Sequence, residues 1–160
     1  MTLSVLCKDI SDTEKLAIQF AKSVKDFGAF VCLYGDVGAG KTAFTKLVCK
    51  YLNVSEKVTS PSFVILNEYK TGDLPIYHFD LYRLEEEGIN TIINELEEYS
   101  EGKILTLVEW AEFSQNALPF DRISITIEYI DENQRNFNIE GSGEKSESII
   151  KRLTDEIAGI

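Results

Sequence analysis

Ala29-Phe-Val-Cys-Leu-Tyr34-Gly35-Asp-Val-Gly-Ala-Gly40-Lys41-Thr42 is the stretch on which the fold turns. Its first six residues form a short, nearly continuous apolar run, the composition of a strand buried on both faces of a parallel sheet. The next eight match GxxxxGK[ST] in full. Glycines there let the backbone wrap closely and turn its N–H groups inward on phosphate oxygens. A helix read over residues 42–52 adds the positive end of its dipole. Lys41 supplies a point charge for the β- and γ-phosphates, and the Thr42 hydroxyl is a ligand for Mg²⁺. A glycine-rich turn matching by chance is the bland alternative, and the buried strand before it and the helix after it argue against that. Val37, Gly38, Ala39, Gly40, Lys41 and Thr42 are therefore the expected ATP cradle.

On either side of this loop, helices and strands alternate. Ser11-Asp-Thr-Glu14 reads as a capping box opening a helix whose apolar face runs through Leu16, Ile18, Phe20, Ala21, Val24 and Phe27, with Gly28 as its stop. The helix after the loop offers Phe44, Leu47, Val48 and Tyr51 to the core. Residues 63–69 and 75–79 are strand candidates around a Thr71-Gly72-Asp73 turn. Residues 89–99 read as a helix, 103–108 as a further buried strand, and 122–130 and 136–140 as looser strands around a polar loop, Asp131–Arg135. Residues 146–157 close the chain as an amphipathic helix. The expectation is one α/β domain over residues 1–160, P-loop NTPase-like, with a mostly parallel central sheet, antiparallel edge strands and flanking helices.

Composition narrows the function classes. A net charge of −11 with four dispersed arginines, Arg83, Arg122, Arg135 and Arg152, argues against autonomous nucleic-acid binding, which needs clustered cations. Acidity concentrates in Glu85–Glu87 and Glu95–Glu101, read as a solvated face or a dock for a basic partner. No apolar run is long enough to span a membrane, and the first residues do not read as a secretory signal. Cys7, Cys32 and Cys49 form no CxxC pair, which favours small buried hydrophobes in a reducing cytoplasm.

A phosphate cradle also needs carboxylates for metal and water, and two apolar runs end in one. Ile76-Tyr-His-Phe-Asp80 delivers an aspartate, and Ile104-Leu-Thr-Leu-Val-Glu109 a glutamate, to the sheet edge where ligands of open α/β sheets sit. Lys41, Asp80 and Glu109 are the catalytic candidates. One carboxylate would hold Mg²⁺ through water while the other orients the attacking water. His78 shares the strand face of Asp80 by alternation and reads as a structural histidine. Trp110, the one tryptophan, reads as core or as a wall of the nucleotide pocket.

Four segments, Gly35–Thr42, Thr59-Ser-Pro-Ser-Phe63, His78-Phe-Asp-Leu-Tyr-Arg-Leu84 and Leu107-Val-Glu-Trp-Ala-Glu112, occur in an order and spacing that resemble the TsaE (YjeE) family. The resemblance covers about Ser11 to Arg135. It implies an ATPase that supports TsaB and TsaD, the partner complex forming threonylcarbamoyladenosine at position 37 of tRNA, with tRNA met only through that complex. It further implies that Thr42 and Glu109 serve the metal, that Asp80 serves the nucleotide and its water, and that Ser60–Phe63 is a switch-like segment. Base contacts would come from around Ser11 and from Asn133 in the Asp131–Arg135 loop. Thr59, Ser62 and Ala43 depart from the family pattern, where lysine, threonine and a second threonine are usual. A GTPase would carry NKxD and DxxG motifs, and neither is found. A non-catalytic nucleotide-sensing subunit and a small-molecule P-loop kinase stay as alternatives, although four scattered arginines make a poor kinase lid.

Overall fold

Seven strands form a single mixed sheet in the computed structural model, which describes residues 1–61, 64–82, 92–112 and 117–158. The elements are β1 (Thr2–Cys7), α1 (Ile10–Lys25), β2 (Ala29–Tyr34), α2 (Lys41–Tyr51), β3 (Leu66–Tyr69), β4 (Ile76–Asp80), α3 (Ile93–Glu98), β5 (Leu105–Glu109), β6 (Arg122–Tyr129), β7 (Arg135–Ser142) and α4 (Glu144–Ala158). Across the sheet the strands run β1-β7-β6-β2-β5-β4-β3. The four in the middle, β6, β2, β5 and β4, are parallel; β3 pairs antiparallel at one edge, and β7 and β1 at the other. This is the expected single α/β domain with a mostly parallel centre and antiparallel margins.

The two faces of the sheet follow from strand alternation. Val31 and Leu33 of β2, Leu105 and Leu107 of β5 and Ile76 of β4 bury one face under α1, α2 and α4, through Phe20, Phe44 and Ile150 among others. Phe44 bridges this layer, its ring centroid 5.7 Å from Phe20 and 5.2 Å from Phe137. Phe30 and Cys32, Phe79 and Val108 turn to the other face, where Leu96 of α3 covers them. Five of the six β2 side chains are buried and Tyr34 is half-buried, as an apolar run with cover on both sides requires.

Several boundaries differ from the sequence reading for local reasons. The first helix is capped by Asp9, not opened by Ser11: the Asp9 carboxylate accepts from the Asp12 N–H at 3.0 Å, and the Asp12 carboxylate accepts from the Lys8 N–H at 3.0 Å. Asp9 is the residue with the extended backbone a cap needs, so its carboxylate takes the free N–H that a serine cap would otherwise take. Phe27 lies beyond that helix, 47% exposed, with the Arg152 guanidinium 4.8 Å above its ring. Gly28, at φ +72, does end the segment, and a Cβ there would meet the Ile104 carbonyl oxygen at 2.4 Å. Strand β1 was not expected at all. The Thr71-Gly72-Asp73 turn joins β3 to β4 and is fastened to the end of α2, where the Asp73 N–H donates to the Leu52 carbonyl at 2.7 Å. The expected starts at Phe63 and Ile89, with Ser62, Arg83 and Glu85–Glu87, lie outside the described residues.

Candidate functional site

The loop between β2 and α2 leaves the sheet at its C-terminal edge and needs three glycines for its path. Gly35, Gly38 and Gly40 have φ values of +150, +84 and +112. At Gly35 there is no room for a side chain either, since a Cβ would stand 2.8 Å from the Ile127 carbonyl oxygen. Gly40 is the left-handed residue before Lys41, so α2 starts abruptly and its first-turn N–H groups, which no intrahelical acceptor can reach, face the loop. Arg135, at the start of β7, steadies the loop from behind. Its Nε donates to the Ala39 carbonyl at 3.0 Å, while Nη1 donates to the carbonyls of Asp131 (2.6 Å) and Gln134 (2.9 Å), and the guanidinium lies 4.4 Å from the Tyr129 ring centroid.

A cavity of about 360 Å³, within the size range of small-ligand sites, opens in front of this loop. Val37, Gly38, Gly40, Lys41, Thr42 and Ala43 line one side, and Ser60, Asp80, Tyr82, Glu109 and Trp110 the other. Lys41 is 7% exposed; its Nζ donates to the Gly35 carbonyl at 2.8 Å and lies 4.1 Å from the Trp110 ring centroid. Trp110 has φ +59, a left-handed backbone unusual for a bulky residue, directly after Glu109. Its ring also meets Tyr82, with centroids 5.0 Å apart.

The carboxylates arrive by strand register. Asp80, last residue of β4, lies opposite Glu109, last residue of β5, and Glu109 lies opposite Leu33 of β2. Both acids therefore stand on the face that carries α2, and both are buried. The Tyr82 N–H donates to Asp80 Oδ1 at 3.0 Å, and the Ser60 hydroxyl donates to Oδ2 at 3.4 Å. His78, fully buried, places Nε2 2.6 Å from Glu109 Oε2. The structural reading of His78 named no partner for it, and the structure supplies one in Glu109. Alternation placed His78 on the right face, but only the β4–β5 register brings it to Glu109.

The structure thus gathers Val37, Gly38, Gly40, Lys41, Thr42, Asp80 and Glu109 around one cavity. Ala39 is buried behind the loop rather than in the lining. Ser11 and Asn133 are exposed and outside the lining. The Asn133 N–H donates to Asp131 Oδ1 at 2.9 Å, and the Gln134 N–H to the same oxygen at 2.8 Å. These backbone bonds hold the Asp131 carboxyl below its usual range. The arginine of that loop, and not its asparagine, reaches the glycine loop.

Among the described residues no group of three or more His, Cys, Asp or Glu could hold a metal by itself. The Thr42 hydroxyl and the two carboxylates are an all-oxygen set of few donors. That suits Mg²⁺, which keeps waters and takes phosphate oxygens to complete its shell. None of the three cysteines lines the cavity. All are buried, and burial pushes the Cys32 and Cys49 thiols up to about 12.

Residues 7–137 match the family model described as threonylcarbamoyl adenosine biosynthesis protein TsaE. A Bacillus subtilis protein named tRNA threonylcarbamoyladenosine biosynthesis protein TsaE is 38% identical over 140 residues, 88% of this chain and 84% of that one. An Aquifex aeolicus protein of the same name is 37% identical over 137 residues, 84% of this chain and 93% of that one. Among solved structures, Bacillus subtilis YdiB superposes with a TM-score of 0.81 at 31% identity, covering 98% of this chain and 96% of that one.

Proposed function

The chain belongs to the TsaE family of threonylcarbamoyl adenosine biosynthesis proteins, and from that premise we propose that it binds and hydrolyses Mg-ATP in support of the complex that forms threonylcarbamoyladenosine on tRNA. One observation carries the reading: Asp80 and Glu109 end adjacent parallel strands in register and share a cavity with Lys41, Thr42 and the start of α2. Such a site offers one cation, Lys41, and N–H dipoles to phosphates on one wall and carboxylates on the other. Catalysis in phosphoryl transfer rests on this kind of positioning and charge stabilisation.

Each residue has a task in this reading. First-turn N–H groups of α2 and the loop backbone hold the phosphates, and Lys41 exchanges the Gly35 carbonyl for a phosphate oxygen. Thr42 and Glu109 would hold Mg²⁺, which would supply neutralisation of the charge on the phosphates. Asp80, buried and held by Tyr82 and Ser60, accepts a hydrogen bond from the attacking water and aligns it. Trp110 and Tyr82 wall the site against bulk water. The partner complex is TsaB with TsaD, and tRNA is met only through it, because a chain of net charge −11 lacks the positive surface a polyanion needs. A reaction on tRNA of this kind belongs to the cytoplasm.

Reconstitution tests the reading. ATP turnover is measured for the purified chain alone and with both partners and tRNA, followed by threonylcarbamoyladenosine formation. Turnover that rises in the complete mixture and modification that stops without ATP are expected. ATP binding with no turnover in any mixture would make the protein a nucleotide sensor, and tight tRNA binding by the isolated chain would defeat the partner-borne route.

A further inference from the structure

We propose that His78 is a positioning residue: its Nε2–H holds one oxygen of Glu109 so that the other is presented to the nucleotide cavity. The inference rests on the reading of Glu109 given above and adds a residue to it. Ile76, His78 and Asp80 share one face of β4, and the register sets His78 opposite Leu107 of β5, one same-face step before Glu109. From there the imidazole reaches diagonally to Glu109, with Nε2 2.6 Å from Oε2. The side chains are 0% and 4% exposed, so water does not compete for the contact.

Both ends of the ring argue for a single arrangement. A carboxylate oxygen accepts, so the hydrogen belongs on Nε2. The opposite nitrogen, Nδ1, is buried with no hydrogen-bond partner among the described residues. A hydrogen on Nδ1 would be stranded there, and Nε2 would then present a lone pair to a carboxylate at 2.6 Å. The chain therefore holds one tautomer, which fixes the rotation of the carboxylate as well as the ring. Oε1 is left as the oxygen Glu109 offers to the cavity that it lines. Partners of this kind, acting through a ligating side chain, are worth about 10- to 100-fold in affinity or activity.

His78 is the one histidine in the sequence, so an imidazole-labelled sample gives a single spin system. In nucleotide-free wild-type protein, long-range ¹H–¹⁵N correlation is expected to show Nε2 protonated and Nδ1 bare, with the Nε2 environment altered in Glu109→Ala. A ring protonated on Nδ1, or averaging between the two forms, would overturn the proposal. The second measurement is kinetic. His78→Gln carries an amide N–H to about the place of Nε2, whereas His78→Asn ends near Nδ1 and falls short. Turnover by His78→Asn is expected to fall about 10- to 100-fold, with KM for ATP nearly unchanged, and His78→Gln to recover most of it. Equal losses in the two variants, or a loss confined to KM, would reduce His78 to core packing. Absence of ATP hydrolysis by the wild type in every mixture would instead remove the functional reading; the tautomer, measured without nucleotide, judges the contact separately.

Discussion

Lys41→Met is expected to act in opposite directions on the fold and on the ligand. The lysine is 7% exposed, and it meets the Gly35 carbonyl at 2.8 Å and the Trp110 ring at 4.1 Å, neither of which bears a net negative charge. Methionine keeps much of the length and volume while removing the charge. Its removal forfeits about 1.5–3 kcal/mol of charged hydrogen bonding and about 0.5–2 kcal/mol of cation–π attraction. Against this, an ammonium no longer has to be kept out of water, a relief of several kcal/mol. The terms nearly cancel, so denaturant unfolding of the nucleotide-free variant is expected within about 1–2 kcal/mol of wild type, on either side. With ATP the balance changes. A phosphate oxygen about 4 Å from an ammonium gains about 4 kcal/mol at an effective dielectric constant near 20, which is roughly a thousandfold in affinity. Calorimetric titration with Mg-ATP reads the second quantity. Affinity within tenfold of wild type would show that Lys41 does not serve the phosphates, and destabilisation by more than about 3 kcal/mol would refute the cancellation of terms in the fold.

Three further outcomes are expected. Asp80→Asn and Glu109→Gln keep the packing at two buried positions but remove the charge, so turnover should fall at least about 100-fold while thermal unfolding moves little; wild-type turnover in both would leave a phosphate loop with no catalytic carboxylates. Arg135→Ala removes the donor that holds the Ala39 carbonyl at 3.0 Å, and the loosened loop must be ordered on binding, at about 1–2 kcal/mol for one residue; ATP affinity measured by titration should drop roughly 10-fold, and an unchanged value would refute the tether. The Cys32 and Cys49 thiols, raised from 9.0 to about 12, stay protonated in the fold, so their contribution is intact below pH 9.0 and is lost as pH climbs toward 12. Each should cost about 1.4 kcal/mol per pH unit above 9.0; unfolding curves at pH 8 and pH 10 that coincide would contradict this burial.

What was legible in the sequence was local. Ala29–Tyr34 could be read as a doubly buried strand from six residues, and the acids at 80 and 109 could be placed at a sheet edge because each ends an apolar run. Strand β1 was missed because Leu3, Val5 and Cys7 alternate over too few residues to stand out, and the partner that makes them a strand, β7, lies more than 120 residues away. The helix start slipped from Asp9 to Ser11 because Asp9, Ser11 and Asp12 are all good caps, and only backbone geometry chooses among them. The contacts of His78 with Glu109 and of Arg135 with Ala39 depend on strand order and register, which a single chain of letters does not encode locally.

The place of β2 between β5 and β6 also bears on how the protein is made. Tyr34 ends β2, but the first strand that pairs with it begins at Leu105, about 70 residues later. At a synthesis rate of about 5–20 residues per second the ribosome takes roughly 4–14 seconds to deliver that partner. During that interval a strand meant for the centre of the sheet has both edges open, the condition under which nascent chains associate wrongly. Helices α1 and α2, already synthesised, can shelter the side of Val31 and Leu33, while Phe30 and Cys32 wait for Phe79 and Val108. Ribosome-held chains ending before Leu105 are therefore expected to be cut readily by protease, and resistance should appear only once β5 and β6 have emerged.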